Sequence, residues 1–219
     1  MAVCVPVKNL HAKLSQISNK FYGSPSEKLF VTGVTGTDGK TSVSHFIAQA
    51  MNSSDTPAAV IGTLGNGLID QLDESSHTTP DIFSLNNMLA QFEQKGATSV
   101  AMEVSSHGLD QDRVLGINFD VAILTNLTRD HLDYHGDIES YKQAKKKLFI
   151  EDEDRTLVLN IDDAFGNEIY SEFSDKRTIW LYGLNEVQAK QSKLFAYANH
   201  VENHSEGMRF MLVDRKSVV

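Results

Sequence analysis

Short apolar runs alternate along most of the chain with segments in which apolar residues recur at helical spacing. The apolar runs predict β-strands at residues 29–34, 58–62, 99–104, 121–125, 157–160 and 178–181. The segments between them predict helices at residues 41–52, 81–95, 138–149 and 163–173. Strands that alternate with helices indicate an α/β fold, a mostly parallel sheet with helices on both faces. Ligands bind to such sheets beyond the carboxyl ends of the strands.

The two ends of the chain follow other patterns. Residues 3–7 predict a short strand, and residues 10–21 predict one amphipathic helix. These elements are too few to form a core alone, so they either pack on the main domain or remain from another domain. Residues 193–219 alternate as in a β-hairpin and stop abruptly. We therefore expect a C-terminal β-hairpin region and a chain that is incomplete at both ends.

Composition narrows the class of protein. The chain has 219 residues, of which 41% are hydrophobic and 22% are charged, as in ordinary soluble globular proteins. No apolar run approaches the ~20 residues that a membrane span requires, and the N-terminus lacks a signal-peptide core. The single cysteine, Cys4, excludes an internal disulfide framework and favours a reducing cytoplasm. A net charge of −9 argues against a nucleic-acid surface.

A glycine-rich segment between the first predicted strand and the first predicted long helix carries the strongest chemical signal. Residues 33–42 read Gly-Val-Thr-Gly-Thr-Asp-Gly-Lys-Thr-Ser. In such a loop, backbone N–H groups surround phosphate oxygens and the helix N-terminus adds partial positive charge. Lys40 can reach the terminal phosphates, and the Thr41 hydroxyl can bind Mg²⁺. Val34 replaces the first glycine of the strict pattern, so the segment matches a variant loop, and Gly-Lys-Thr alone also arises by chance.

Two further strand ends carry polar side chains. Glu103 lies near the end of a predicted buried strand, where an isolated charge is costly unless it is paired or bound to metal. A structural ion pair is one interpretation, and a magnesium ligand beside the phosphate loop is the favoured one. Residues 125–136 contain two histidines and two aspartates within six residues. Because Mg²⁺ prefers oxygen ligands, residue types alone leave open a metal site and a solvated polar loop.

The helix at residues 138–149 carries a lysine in an unusual place. Lys145 falls on the apolar stripe formed by Tyr141, Leu148 and Phe149, whereas the next lysine, Lys146, falls outside it. An ammonium that points inward has a lowered pKa and becomes nucleophilic or open to modification. The alternative is a lysine with a buried stem and a charged end that reaches water.

Other positions suggest substrate contacts only in combination. Residues 78–81 are also explained as a helix start, with a threonine cap and a proline near the first turn. Arg113 can bind a carboxylate through two hydrogen bonds, and Ser105 and Gln111 lie near it in the sequence. The glycine-rich residues 62–67 are explained as a turn.

Together these segments resemble the Mur ligases of peptidoglycan synthesis. The likeness is greatest to the type that adds the third residue to UDP-N-acetylmuramoyl-L-alanyl-D-glutamate. It is carried by residues 33–41, 62–68, 78–80, 101–109, 125–136 and 141–145, with Gln111 and Arg113. The resemblance implies that residues 1–28 are a remnant of the N-terminal UDP-binding domain. It also implies that residues 29–219 are the central ATP-binding domain, with an incomplete C-terminal part.

The resemblance further implies roles for individual residues. ATP would be bound by Thr35, Gly36, Thr37, Asp38, Gly39, Lys40, Thr41, Ser42 and Asn126. The UDP-muramoyl dipeptide would contact Thr78, Thr79, Ser105, Gln111 and Arg113. Magnesium would be bound by Thr41, Glu103, His131 and a carbamylated Lys145. The catalytic residues would be Lys40, Glu103, His131 and Lys145.

The implied function is a cytoplasmic ligase that uses ATP to form an amide bond through an acyl phosphate. Its substrates would be ATP, the UDP-muramoyl dipeptide and an amino acid whose identity the sequence does not determine. Neither nucleic acid nor a membrane is an expected partner, and a separate chain would be one source of the missing C-terminal domain. A non-catalytic remnant that binds nucleotide or UDP-sugar is the main alternative. Lys145 and residues 78–80 disfavour another phosphate-loop enzyme, such as a kinase or GTPase.

Overall fold

A computed structural model describes residues 6–52, 57–150, 153–205 and 207–214. The strands are β1 (Phe30–Thr35), β2 (Ala58–Gly62), β3 (Gly65–Leu68), β4 (Gln71–Asp73), β5 (Ser99–Glu103), β6 (Val121–Leu124), β7 (Thr156–Asn160), β8 (Ile179–Gly183), β9 (Leu194–His204) and β10 (Gly207–Asp214). The α-helices are α1 (Leu10–Tyr22), α2 (Lys40–Asn52), α3 (Ile82–Gln94), α4 (Ser106–Asp110), α5 (Leu132–His135), α6 (Ile138–Ile150), α7 (Ala164–Phe173) and α8 (Glu186–Ala189). None of the helices in these ranges is long and apolar enough to cross a bilayer.

All the strands belong to one sheet, in the order β10-β9-β8-β7-β6-β1-β5-β2-β3-β4. The pairs from β9 to β2 are parallel, and antiparallel pairs extend both edges. The predicted α/β fold with a mostly parallel sheet is therefore confirmed. The predicted C-terminal hairpin is also present, as β9 and β10.

Helices cover both faces of the sheet because side chains alternate along the buried strands. In β2, Ala58 and Val60 belong to a small apolar cluster with Ala48 of α2. Ala59 and Ile61, on the opposite face, belong to the larger cluster, which includes residues of α3, α6 and α7. Strands buried on both faces explain why the sequence reads there as continuous apolar runs.

Several local predictions differ from the structure. Thr78 and Thr79 do not cap α3, and the predicted threonine cap is wrong. Asp81 caps this helix instead, because its extended backbone lets Oδ1 accept from the N–H groups of Phe83 and Ser84. Residues 62–67 do contain a turn, but residues 65–68 form strand β3, which the sequence did not predict.

The N-terminal segment packs on the main sheet domain. Helix α1 lies against α3, and the hydroxyl of Ser18 donates to the backbone oxygen of Ile82 at 3.1 Å. The side chain of Asn19 donates to the backbone oxygen of Gly116 at 2.6 Å. Most of the strand predicted at residues 3–7 lies outside the described residues, and Pro6 and Val7 are not in a strand.

The order of the central strands brings three polar strand ends together. Because β1 lies between β6 and β5, their carboxyl ends meet at one edge of the sheet. The register places Val34 opposite Glu103 and Thr35 opposite Leu124. The phosphate loop, Glu103 and the segment after β6 are therefore neighbours.

Candidate active site

The glycine-rich loop between β1 and α2 is fixed by residues that follow β6. The Thr125 hydroxyl donates to the backbone oxygen of Asp38 at 2.6 Å, and the Asn126 amide exchanges two hydrogen bonds with the Asp38 backbone, at 2.9 and 3.1 Å. A Cβ at Gly36 would lie 1.8 Å from the Thr125 hydroxyl, so only glycine permits this approach. Gly39 has a φ of 80°, in the left-handed region that favours glycine. The hydrogen bonds from Thr125 and Asn126 therefore fix the conformation of the loop.

Lys40 curls back over this loop. Its Nζ donates to the backbone oxygens of Gly36 and Thr37, at 3.0 and 2.7 Å. Burial lowers the pKa of Lys40, and the nearby charges of Glu103 and Asp38 act in the opposite direction. Loop carbonyls are weak partners for an ammonium compared with phosphate oxygens, so an incoming phosphate can take over these donors.

Glu103 is only 1% exposed at the end of β5. Its carboxylate accepts from the Thr41 hydroxyl at 2.9 Å and from the Thr63 N–H at 2.8 Å. Within the described ranges, none of the ion pairs involves Glu103, so the structural ion pair considered for it is not what holds it. Hydroxyl and N–H donors therefore compensate for the burial of this carboxylate beside the loop.

Lys145 points inward from α6 and is 1% exposed. Its Nζ donates to the backbone oxygen of Gly36 at 2.7 Å and lies 4.6 Å from the centre of the Tyr141 ring. Burial, and to a smaller extent the positive charge of Lys40, lower its pKa to about 7, and Asp130 partly offsets both. The alternative of a lysine whose charged end reaches water is therefore wrong.

The last residue of β1 carries a buried hydroxyl without a hydrogen-bond partner among the described residues. Thr35 is 0% exposed, and its Oγ1 has no hydrogen-bond partner among the described residues. Gly33, two residues earlier on β1, faces α6, since a Cβ there would meet Leu148 at 3.3 Å. Thr35 therefore faces α6 as well, one helical turn away from Leu148 towards Lys145.

His131 is the N-cap residue before the short helix α5 and has a left-handed φ of 52°. Its Nε2 lies 3.3 Å from Asp130 Oδ2, and its side chain is 47% exposed. The ring of His107 packs edge-on against it, with ring centroids 4.9 Å apart. Within the described ranges, no three His, Cys, Asp or Glu side chains form a group that could hold a metal ion.

One cavity of about 480 Å³ collects the side chains to which catalytic roles were assigned. Lys40, Glu103, His131 and Lys145 all line it. So do further predicted ATP, magnesium and substrate residues: Thr37, Asp38, Gly39, Thr41, Thr78, Thr79, Ser105 and Arg113. Four other predicted ATP residues are not among its lining residues: Thr35, Gly36, Ser42 and Asn126. The cavity is thus bordered by the phosphate loop on one side and by the predicted substrate residues on the other.

The predicted substrate residues are hydrogen-bonded to one another. The Thr79 hydroxyl donates to the Glu103 backbone oxygen and accepts from the Ser105 N–H, both at 2.9 Å. The Arg113 guanidinium donates to the Thr79 backbone oxygen at 2.8 Å and to Gln111 Oε1 at 2.6 Å. Gln111 and Arg113 also line an adjoining cavity of about 590 Å³ that extends towards α1.

Sequence reasoning missed several residues of this site. The Tyr141 hydroxyl lies 3.1 Å from the Thr37 hydroxyl, and Thr63 contacts Glu103 twice. His107 and Asp130 lie beside His131. Tyr141 gave a usable signal, a hydroxyl on the same stripe as Lys145, whereas Thr63 lay in a segment explained only as a turn.

The amino-acid sequence of this chain is similar to those of known proteins. The model of the family described as Mur ligase middle domain matches residues 34–218. A relative from Ectopseudomonas mendocina, named UDP-N-acetylmuramoyl-L-alanyl-D-glutamate–2,6-diaminopimelate ligase, is 49% identical over 97% of this chain and 42% of its own length. The ligase of the same name from Pseudomonas aeruginosa is 45% identical with the same coverage.

Solved structures give the same result for the fold. A structure of a ligase of that name has a TM-score of 0.81 at 31% identity and covers 94% of this chain. MurF from Acinetobacter baumannii has a TM-score of 0.67 at 18% identity over 98% of this chain, a likeness of fold alone. The chain spans about 42% of the length of the curated relatives and of these solved chains.

Proposed function

Because the chain belongs to the Mur ligase family, we propose that it is the ATP-binding, catalytic part of a ligase of peptidoglycan precursor synthesis. The reaction is the addition of an amino acid to UDP-N-acetylmuramoyl-L-alanyl-D-glutamate with consumption of ATP. One observation carries the proposal, the convergence of Lys40, Glu103, His131 and Lys145 on one cavity at the carboxyl ends of neighbouring strands.

The amino acid is 2,6-diaminopimelate in this proposal. The support is the name shared by relatives that are 44–49% identical to the chain. The relatives extend well beyond the matched region. We therefore place the part that presents the amine outside these 219 residues, in the same polypeptide or in a separate chain. Residues 1–28 represent the end of a UDP-binding domain, and residues 29–219 the central domain.

ATP binds in this proposal with its phosphates against the loop between β1 and α2. Backbone N–H groups of the loop and the N-terminus of α2 face the phosphate oxygens. The Lys40 ammonium leaves the backbone oxygens of Gly36 and Thr37 and donates to the terminal phosphate. Asn126 acts through Asp38, whose backbone it holds at 2.9 and 3.1 Å, by keeping the loop in its binding shape.

The residues present fit a magnesium ion that keeps part of its water shell. Thr41 and Glu103 offer oxygen ligands 2.9 Å apart at the edge of the cavity, and His131 lines the same cavity. A sparse set of protein ligands is typical of magnesium sites that are completed by phosphate and water. When bound, magnesium would offset the repulsion between the substrate carboxylate and the triphosphate.

Lys145 is the proposed site of carbamylation. A neutral amine adds CO₂ and releases one proton, and about half of a lysine with a pKa of about 7 is neutral at pH 7. The product would be an anion where the unmodified chain has an inward amine, and it would offer a further oxygen ligand to magnesium. The unpartnered hydroxyl of Thr35 supports this, because it is a buried donor on the face of β1 that meets α6.

The reaction requires that two anions, the substrate carboxylate and the triphosphate of ATP, come together. The substrate carboxylate attacks the γ-phosphorus in line, an oxygen–phosphorus bond forms and ADP leaves. The amine then attacks the acyl carbon, a carbon–nitrogen bond forms, and phosphate and a proton are released. Lys40 stabilises the charge that develops on the transferred phosphoryl group.

Titration calorimetry of the 219-residue chain tests the proposal. We expect binding of ATP with Mg²⁺ and, separately, of UDP-N-acetylmuramoyl-L-alanyl-D-glutamate. Lys40→Met should weaken ATP binding about ten- to a hundredfold, as expected for loss of a charge-assisted hydrogen bond. Lys20→Met, on α1 and away from the cavity lining, is the control and should bind as the wild type does.

Each other outcome has a definite meaning. Binding of ATP alone supports a generic ATPase, and binding of neither ligand supports a relic without ligase function. The isolated chain should form little or no tripeptide product, because the amine-presenting part lies outside it. Robust tripeptide formation by the purified chain would contradict the proposal that the amine-presenting part lies outside it.

A further inference from the structure

The turn between β2 and β3 holds a threonine whose contacts join the two halves of the cavity. The Thr63 N–H donates to Glu103 Oε1 at 2.8 Å, and its hydroxyl donates to Glu103 Oε2 at 3.3 Å. The same hydroxyl oxygen lies 3.1 Å from the hydroxyl oxygen of Thr78. One residue thus contacts both the carboxylate proposed for magnesium and a threonine proposed for the substrate.

The backbone of the turn allows Thr63 to lie close to the Glu103 carboxylate. A Cβ at Gly62 would lie 2.2 Å from Glu103 Oε1, so glycine is required beside Thr63. The buried Asn66 side chain accepts from the Gly62 N–H at 3.1 Å and fixes the turn. Leu64, the other residue of the turn, is 68% exposed and provides a matched control.

The single proton of the Thr63 hydroxyl determines the direction of these hydrogen bonds. Because this hydroxyl donates to Glu103, its oxygen accepts the proton of Thr78. The Thr78 oxygen then offers only lone pairs to the cavity. A substrate group that meets Thr78 is therefore a donor, such as an amide N–H or a hydroxyl, and not a carboxylate oxygen.

We propose that Thr63 is a positioning residue that orients the Glu103 carboxylate for magnesium and the Thr78 hydroxyl for the substrate. The inference rests on the proposed function. Glu103 Oε2 is held from two sides, by Thr63 and by Thr41 at 2.9 Å. Without the Thr63 hydroxyl, Glu103 loses one restraint, and Thr78 is free to turn its proton towards the cavity.

The test measures how much magnesium tightens ATP binding to the 219-residue chain. The quantity is the ratio of the ATP dissociation constants without and with Mg²⁺, by titration calorimetry. Thr63→Val removes the hydroxyl but keeps the N–H, and should lower this ratio about tenfold, the effect of one hydrogen bond to a charged group. Thr63→Ser keeps the hydroxyl and should restore the ratio, and Leu64→Ala should leave it unchanged.

A double-mutant cycle with Thr78→Val tests the connection between the two threonines. Thr78→Val alone should lower the ratio two- to threefold, and should add nothing in the Thr63→Val background, because the link is already broken. Thermal unfolding of each variant shows whether it is folded. Additive effects of the two valine substitutions overturn the proposed connection.

The remaining outcomes separate this inference from the proposed function. An unchanged ratio in Thr63→Val overturns the inference while ATP binding by the wild type still supports the function. An equal loss in Thr63→Ser and Thr63→Val shows a packing role and also overturns it. Absence of ATP binding by the wild-type chain overturns the proposed function and the inference with it.

Discussion

The two faces of helix α6 carry the same residue type in opposite environments. On the outer face, Lys142 pairs with Glu139 at 2.8 Å and with Glu168 at 2.9 Å, and Lys146 also pairs with acidic residues of α7. On the inner face, Lys145 has no carboxylate partner among the described residues and donates to a backbone oxygen of the phosphate loop. The helix therefore separates ion-paired lysines from one that is buried without a carboxylate partner among the described residues.

This difference shows that position, and not residue type, determines the chemistry of these side chains. The hydrogen bonds of Lys142 to Glu139 and Glu168 raise its pKa, so it stays a cation. Burial lowers the pKa of Lys145 to about 7, so a large fraction is a neutral amine near neutral pH. A neutral amine is the form that reacts with CO₂, and only the inner face provides it.

The largest expected effect is the loss of a CO₂ adduct. In ¹³C-bicarbonate, the wild-type chain should give a carbamate carbonyl signal by ¹³C NMR, and Lys145→Met should abolish it. Lys146→Met, the control on the outer face, should retain the full signal. A signal of equal intensity in Lys145→Met would place the adduct elsewhere and remove the proposed distinction between the faces.

A second prediction concerns stability against pH in CO₂-free buffer. Below about pH 7, Lys145 is protonated in the folded and unfolded chain, so it adds no pH dependence. Between about pH 7 and its ordinary value of 10.5, only the unfolded chain keeps the proton. The free energy of unfolding should therefore rise with pH in this window, by at most about 1.4 kcal/mol per pH unit.

Denaturant unfolding of the wild type and Lys145→Met at several pH values checks this prediction. The methionine variant lacks the titrating group. Its free energy of unfolding, minus that of the wild type, should therefore be largest below pH 7 and should decrease above pH 7. Lys146→Met serves again as the control. A constant difference between wild type and Lys145→Met across the window would show that Lys145 titrates normally.

The smallest effect is expected on the outer face. Glu168→Gln removes the carboxylate that faces Lys142 and Lys146 across α6 and α7. Because exposed pairs contribute little, the free energy of unfolding should fall by less than about 1 kcal/mol. The difference should diminish at high salt. A larger loss that does not depend on salt would contradict the view that these ion pairs are exposed and contribute little to stability.

The sequence predicted well where the signal is local. The strand, glycine turn and helix around Lys40 follow from residues within one short segment, and so does the parallel order of strands and helices. Helical spacing also placed Lys145 on the apolar stripe of its helix, but it left open whether the charged end reaches water. The cap of α3 did not follow from the sequence, because a threonine was predicted to cap this helix and the backbone geometry instead places Asp81 at the cap.

What the sequence by itself determined is the fold class and a set of candidate site residues, because periodicity, turn residues and short motifs act over a few positions. Only the tertiary structure decided what those residues touch. Lys145 and Gly36 are 109 positions apart, and Thr41 and Glu103 are 62 apart, yet each pair is hydrogen-bonded. Such contacts depend on strand order, which places β1 between β5 and β6. The same reason explains why Thr63 was seen only as part of a turn, since its partners come from other strands and loops.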